Sequence, residues 1–140
     1  METILIADDA ADVLFLARDI LQAEGYTVLT ASDGEEALRV AEAHPGPIEG
    51  LLADVVMPKV TGPELADRLT RTHKETKVVF MSGYTNEAIG QYGIMHAGAP
   101  FVGKPFTAAL LARKLREALD YRSPFKRPAA PIRTASPVFA

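Results

Sequence analysis

Five short, nearly continuous apolar runs, separated by amphipathic stripes of helical period, confine this chain to a narrow set of folds. The runs are Thr3–Ala7, Tyr26–Thr30, Leu51–Ala53, Lys77–Met81 and Ala99–Val102, rich in Val, Ile, Leu and Phe. Lacking polar alternation, they have the pattern of strands buried on both faces. Between the first two, Val13, Leu16, Ala17, Ile20 and Leu21 recur at helical spacing, and Gly25 stops that helix. Ser32 and Glu35 have capping-box spacing ahead of Ala37, Val40 and Ala41; Thr61 and Glu64 repeat it, with Pro63 tolerated in the first turn. Thr107 is placed to cap a last helix through Leu111, Leu115, Ala118 and Leu119. A helix between Ser82 and Gly98 is the least regular, because Gly90 and Gly93 interrupt it. Strands alternating with helical crossovers make a doubly wound α/β fold: an all-parallel sheet, right-handed connections, helices on both faces.

Composition narrows the function classes. The 140 residues and 48% hydrophobic content suit one domain with a sizeable core. With no cysteine there is no disulfide framework, thiolate metal site or cysteine nucleophile. The net charge of −3 conceals an asymmetry: Arg122, Lys126, Arg127 and Arg133 make the last twenty residues basic, leaving residues 1–120 at −7. An acidic fold argues against nucleic acid as its partner. Residues 121–140 also hold Pro124, Pro128, Pro131 and Pro137, and read as an unpacked, disordered tail after a domain spanning 1–120. Glu2, Asp8 and Asp9 at the start are not a signal peptide, and no apolar stretch approaches a membrane span, so a cytoplasmic location off the membrane is expected.

In open parallel sheets ligands bind beyond the carboxyl ends of the strands. Those positions hold Asp8 and Asp9 after the first strand, Asp54 after the third, Ser82 after the fourth and Lys104 after the fifth. Three carboxylates gathered at one edge repel one another unless their pKa values rise or a cation joins them. Magnesium is the economical cation, since it takes oxygen ligands and keeps waters and phosphate oxygens in its shell; Asp9, Asp54 and a main-chain carbonyl are its candidate ligands. A lysine, a hydroxyl and a hard cation around one carboxylate suit an incoming phosphoryl group, with that carboxylate as nucleophile.

With these residues in place the sequence resembles the receiver domain of two-component response regulators across residues 3–120. The resemblance is carried by Asp8-Asp9, by Asp54-Val55-Val56-Met57-Pro58 with Gly62 following, by Met81-Ser82-Gly83, and by Phe101 ahead of Lys104-Pro105. It implies the flavodoxin-like (βα)5 fold with strand order 2-1-3-4-5. It also implies that Asp54 takes a phosphoryl group from a phosphohistidine. Asp9, Asp54 and the Val56 carbonyl would bind Mg²⁺ directly and Asp8 through a water, with Mn²⁺ a second candidate ion. Ser82 and Lys104 would bind the phosphoryl oxygens, and the Lys104-Pro105 peptide would be cis. A switch is implied in which Ser82 moves toward the phosphoryl group and Phe101 turns inward, changing a protein-binding surface. The implied partners are a histidine kinase or histidine phosphotransfer protein, docking beside the first helix, a downstream target protein, and a second copy as a candidate homodimer.

Departures and decoys bear on the details. Ala10 stands where many relatives carry a further acid. Val56 and Tyr84 stand where relatives control water access to the acyl phosphate, and their apolar bulk predicts slow self-dephosphorylation. Gly98, Gly103 and Lys104 mimic a phosphate-binding loop, but Pro105 removes its hydroxyl and an N–H, and Phe101-Val102 read as strand. His44, His73 and His96 have no ligand spacing. Two other function classes compete: a metal-dependent aspartyl phosphatase or phosphotransferase, against which Val56 stands in place of a second acid, and an interaction module independent of phosphorylation. Too few residues follow position 120 for an output domain, so output through contact with another protein is expected. Phe80-Met81-Ser82-Gly83-Tyr84 and Gly103-Lys104-Pro105-Phe106 are worded like the receivers of hybrid histidine kinases, the alternative being a single-domain regulator.

Overall fold

The computed structural model describes residues 2–83 and 100–121. In chain order its elements are β1 (Thr3–Ala7), α1 (Ala11–Ala23), β2 (Thr27–Ala31), α2 (Gly34–Ala43), β3 (Gly50–Asp54), α3 (Gly62–Thr72), β4 (Lys77–Ser82), β5 (Phe101–Gly103) and α4 (Ala108–Asp120). The helix expected between Ser82 and Gly98, the tail after Tyr121, Tyr84, His96 and Ala99 lie outside the described residues.

The strands form one parallel sheet in the order β2-β1-β3-β4-β5, as the resemblance implies. Side chains alternate across each strand, and that alternation divides the core cleanly. Leu5, Ala7, Leu51, Ala53, Val78 and Phe80 face Ala37 and Ala41 of α2 and Leu65, Ala66 and Leu69 of α3. Their neighbours Ile4, Ile6, Leu52, Val79 and Met81 face Leu14, Ala17 and Leu21 of α1 and Leu111, Leu115 and Ala118 of α4. Burial of each such large side chain stabilises the fold by about 1.5–3 kcal/mol, and both layers press on the central β1, β3 and β4.

Helix starts follow local chemistry. Thr61 and Thr107 accept hydrogen bonds from the Glu64 and Leu110 N–H groups, as read from the sequence. At α2 the cap is Asp33, not Ser32: its carboxylate accepts from the Glu36 N–H at 2.7 Å, while Glu36 Oε1 accepts from the Ser32 N–H and hydroxyl. The cap is shifted by one residue from the sequence reading, and the returning Glu36 carboxylate reaches past Asp33 to Ser32 instead of closing a capping box on the cap's own N–H. In α1 the buried positions are Leu14, Ala17 and Leu21, whereas Leu16 is 52% exposed, contrary to the sequence reading. Four consecutive apolar residues, Val13 to Leu16, leave the helical phase undetermined from pattern alone.

Candidate functional site

Register sets the geometry of the sheet's carboxyl edge. Ala7 pairs with Ala31 and Ala53, Asp54 with Met81, and Ser82 with Gly103, so β1, β3, β4 and β5 finish together. Asp8, Asp9, Asp54, Ser82 and Lys104 therefore meet at one place. Each of Asp8, Asp9 and Asp54 offers a carboxylate oxygen within 4.8 Å of the others. Asp8 is fully buried, Asp54 and Ser82 are buried, and Asp9 is exposed at the rim.

Lys104 Nζ lies 2.8 Å from Asp8 Oδ2 and 3.4 Å from Asp54 Oδ2. Asp8 Oδ1 accepts the Ala10 N–H at 2.9 Å. Asp8 Oδ2, by contrast, is buried and accepts no well-directed hydrogen bond, so the ion pair alone compensates it. One ammonium thus faces several acids. Burial, followed by repulsion from Asp8, pushes the Asp54 carboxyl up to about 6, although Lys104 partly offsets this. Burial opposes the Lys104 charge, but its contacts with Asp8 and Asp54 outweigh that and raise its pKa. The donor set is all oxygen, carries an excess of negative charge and includes an under-satisfied buried carboxylate oxygen. It fits a hard divalent cation.

The loop after Asp54 is fastened to the site. The Val55 N–H donates to the Met81 carbonyl at 3.0 Å, and the Gly62 N–H donates to the Val55 carbonyl at 2.8 Å. Gly62 abuts the main chain of Asp54: a Cβ there would lie 2.2 Å from the Asp54 carbonyl oxygen. Only glycine lets α3 begin so close to Asp54. Val56, half-buried, packs against the core beneath α2 and α3. On the far side the Lys104 N–H donates to the Ser82 carbonyl at 2.9 Å, and the Lys104-Pro105 peptide is cis, as the resemblance implies. β5 runs through Phe101 to Gly103, directly ahead of Lys104, so the strand occupies what a phosphate-binding loop needs as loop. Phe101 is half-buried against the α2–α3 side of the core. His44 and His73 end α2 and α3, away from this edge.

Lys59 carried no sequence signal. Its φ of 72° is left-handed, unusual for a residue with a Cβ, and its ammonium lies 3.7 Å from Asp33 and 3.6 Å from Glu35. The residue types around it gave no reason to expect either feature.

Comparison with known proteins agrees with this geometry. Residues 4–116 match the response regulator receiver domain family. The chain is 36% identical over 118 residues to the sensor kinase CckA of Brucella abortus, covering 84% of this chain and 12% of the kinase. It spans about half the length of other curated relatives, such as the transcriptional regulatory protein CpxR of Escherichia coli, at 32% identity over 119 residues, 85% of this chain. Among solved structures, the receiver domain of the hybrid histidine kinase CckA superposes with a TM-score of 0.64 at 35% identity, covering 84% of this chain and 98% of that one. Fold, sheet order, acidic edge and sequence agree: the chain belongs to the response regulator receiver domain family.

Proposed function

We propose that Asp54 is a phosphoryl acceptor in a two-component phosphorelay, working in the cytoplasm with Mg²⁺. The observation that carries this reading is the buried Asp54 carboxylate, flanked by Asp8, Asp9 and Lys104 at the sheet's carboxyl edge. A carboxylate oxygen of Asp54 attacks the phosphorus of a phosphohistidine; the new P–O bond forms as the P–N bond breaks, and the imidazole leaves and takes up a proton. Asp8, Asp9, Asp54 and the Val56 carbonyl are the groups that would hold Mg²⁺, and Mn²⁺ suits the same oxygen donors. Bound there, the ion supplies charge neutralisation for the phosphoryl oxygens. Lys104, already within ion-pair distance of Asp54, exchanges part of that contact for the transferred oxygens. Ser82, buried at the end of β4, donates its hydroxyl to the same group.

Phosphorylation then changes a protein-binding surface through Ser82 and Phe101. β5 pairs Phe101 beside Phe80 and Gly103 beside Ser82, so a movement of Ser82 reaches Phe101 through one short strand. The donor is a histidine kinase or phosphotransfer protein. Its docking surface is α1, which follows Asp8 and Asp9 in the chain and leaves Phe15 and Leu16 exposed. A target protein and a second copy of the chain are candidates for the switched surface. Incubation with a phosphorylated histidine phosphotransfer protein and Mg²⁺ tests the reading: label moves to the chain and not to Asp54→Asn. Steady hydrolysis of a small phosphate ester would instead favour an aspartyl phosphatase, and partner binding unaltered by Asp54→Asn and by phosphorylation a phosphate-independent module.

A further inference from the structure

The loop between the acceptor and α3 is anchored at both ends by main-chain bonds, Val55 to Met81 and Gly62 to Val55. Its middle is held differently. Lys59 sits at the centre of a tight turn in which the Val60 N–H donates to the Pro58 carbonyl at 2.8 Å, with φ of 72°. A left-handed conformation on a residue with a Cβ persists only where its surroundings impose it. Here the surroundings are the first turn of α2. Gly34 lies so close to Val60 that a Cβ there would be 2.5 Å from Val60 Cβ and 2.7 Å from its carbonyl oxygen. Beside that contact, the Lys59 ammonium bridges Asp33 and Glu35, two carboxylates in the same turn of chain.

We propose that Lys59 is a positioning residue for the divalent ion: by bridging Asp33 and Glu35 it pins the loop that presents the Val56 carbonyl beside Asp54. The inference rests on the metal-assisted reading above. Lys59 lies three residues beyond Val56, and the intervening Met57 and Pro58 form the near limb of the turn. A loop free to leave α2 would present that carbonyl over a wider range of positions, and the ion would have to order it on binding. The ion pairs are half exposed and 3.6–3.7 Å long, so each is weak. Their combined effect on Mg²⁺ affinity is about two- to five-fold.

Calorimetric titration of the full chain with MgCl₂ tests this directly. Lys59→Gln weakens binding about two- to five-fold, and Lys59→Arg restores it. The paired change Asp33→Asn with Glu35→Gln reproduces the weakening with Lys59 in place; Asn still caps α2. Lys59→Gly, which relaxes the positive φ but carries no charge, stays weak. Labelling by acetyl phosphate at saturating MgCl₂ keeps its wild-type rate in every variant, because only occupancy of the ion is affected. Wild-type affinity in Lys59→Gln, full affinity in Lys59→Gly, or failure of Lys59→Arg to rescue would overturn the role of the bridge while leaving Asp54 chemistry intact. A wild-type chain that binds no Mg²⁺ would overturn both.

Discussion

Replacing Asp54 by Asn stabilises the metal-free protein at neutral pH, and the size of the effect follows from the surroundings of the carboxyl group. The carboxyl titrates near 3.8 when unperturbed and at about 6 in the folded protein. Between those values the folded chain holds more protons than the unfolded chain, so stability falls as pH rises through that window. Below pH 3.8 the group is neutral in both states and the penalty is absent; above about 6 it is complete. At 1.36 kcal/mol per pKa unit the full penalty is about 3 kcal/mol. Asn keeps the shape and removes the charge, leaving the Asp8–Lys104 pair in place. Urea unfolding followed by circular dichroism in EDTA, from pH 3.5 to 8, reads it out. With a urea slope of about 1–3 kcal/mol/M, the variant's midpoint exceeds wild type by about 1–3 M at pH 7.5, and the gap closes near pH 4. MgCl₂ at a hundred times its Kd adds about 2.7 kcal/mol to wild type and narrows the gap from the other side. A variant no more stable than wild type at pH 7.5, or a gap independent of pH, would show that burial does not penalise the Asp54 charge.

Other outcomes follow from the same geometry. Lys104→Met removes the charge that lowers the Asp54 pKa, so the carboxyl titrates above its present value of about 6, as followed by carboxyl ¹³C chemical shifts; an unchanged or lower value would contradict the assignment. Gly62→Ala drives a Cβ into the Asp54 carbonyl, destabilising the fold by about 1–3 kcal/mol and lowering Mg²⁺ affinity, measured by thermal melting and calorimetry. The apolar residue types that the sequence places at Val56 and Tyr84 predict that the phosphorylated chain keeps its phosphate for about minutes; loss within seconds in a quenched time course would count against that.

Most of the fold was legible because its determinants are local. Apolar runs without alternation fix buried strands, and the helical stripes between them fix parallel crossovers, so Asp8, Asp9, Asp54, Ser82 and Lys104 fall at one edge by topology alone. What escaped the sequence depends on phase and on long-range contact. Two adjacent residues, Ser32 and Asp33, can each cap α2, and only the placement of Glu36 against Ser32 decides between them. Val13 to Leu16 are all apolar, so packing against β1, β2 and α4, rather than pattern, buries Leu14 and exposes Leu16. The Asp8–Lys104 contact joins residues distant in the chain, and the composition could not say which acid the lysine would favour. The positive φ of Lys59 belongs to a turn that α2 imposes, a constraint with no trace in the residue itself.

Phosphoryl transfer to Asp54 leaves a chemical trace that can be read at a single residue. The chain is treated with acetyl phosphate and MgCl₂, reduced with borohydride, and its peptides are mapped by mass spectrometry. An acyl phosphate on Asp54 is reduced to the corresponding alcohol, so homoserine is expected at position 54, absent when EDTA replaces MgCl₂ and absent in Asp54→Asn. Reduction at Asp8 or Asp9 instead, or no reduced residue despite bound Mg²⁺, would contradict it.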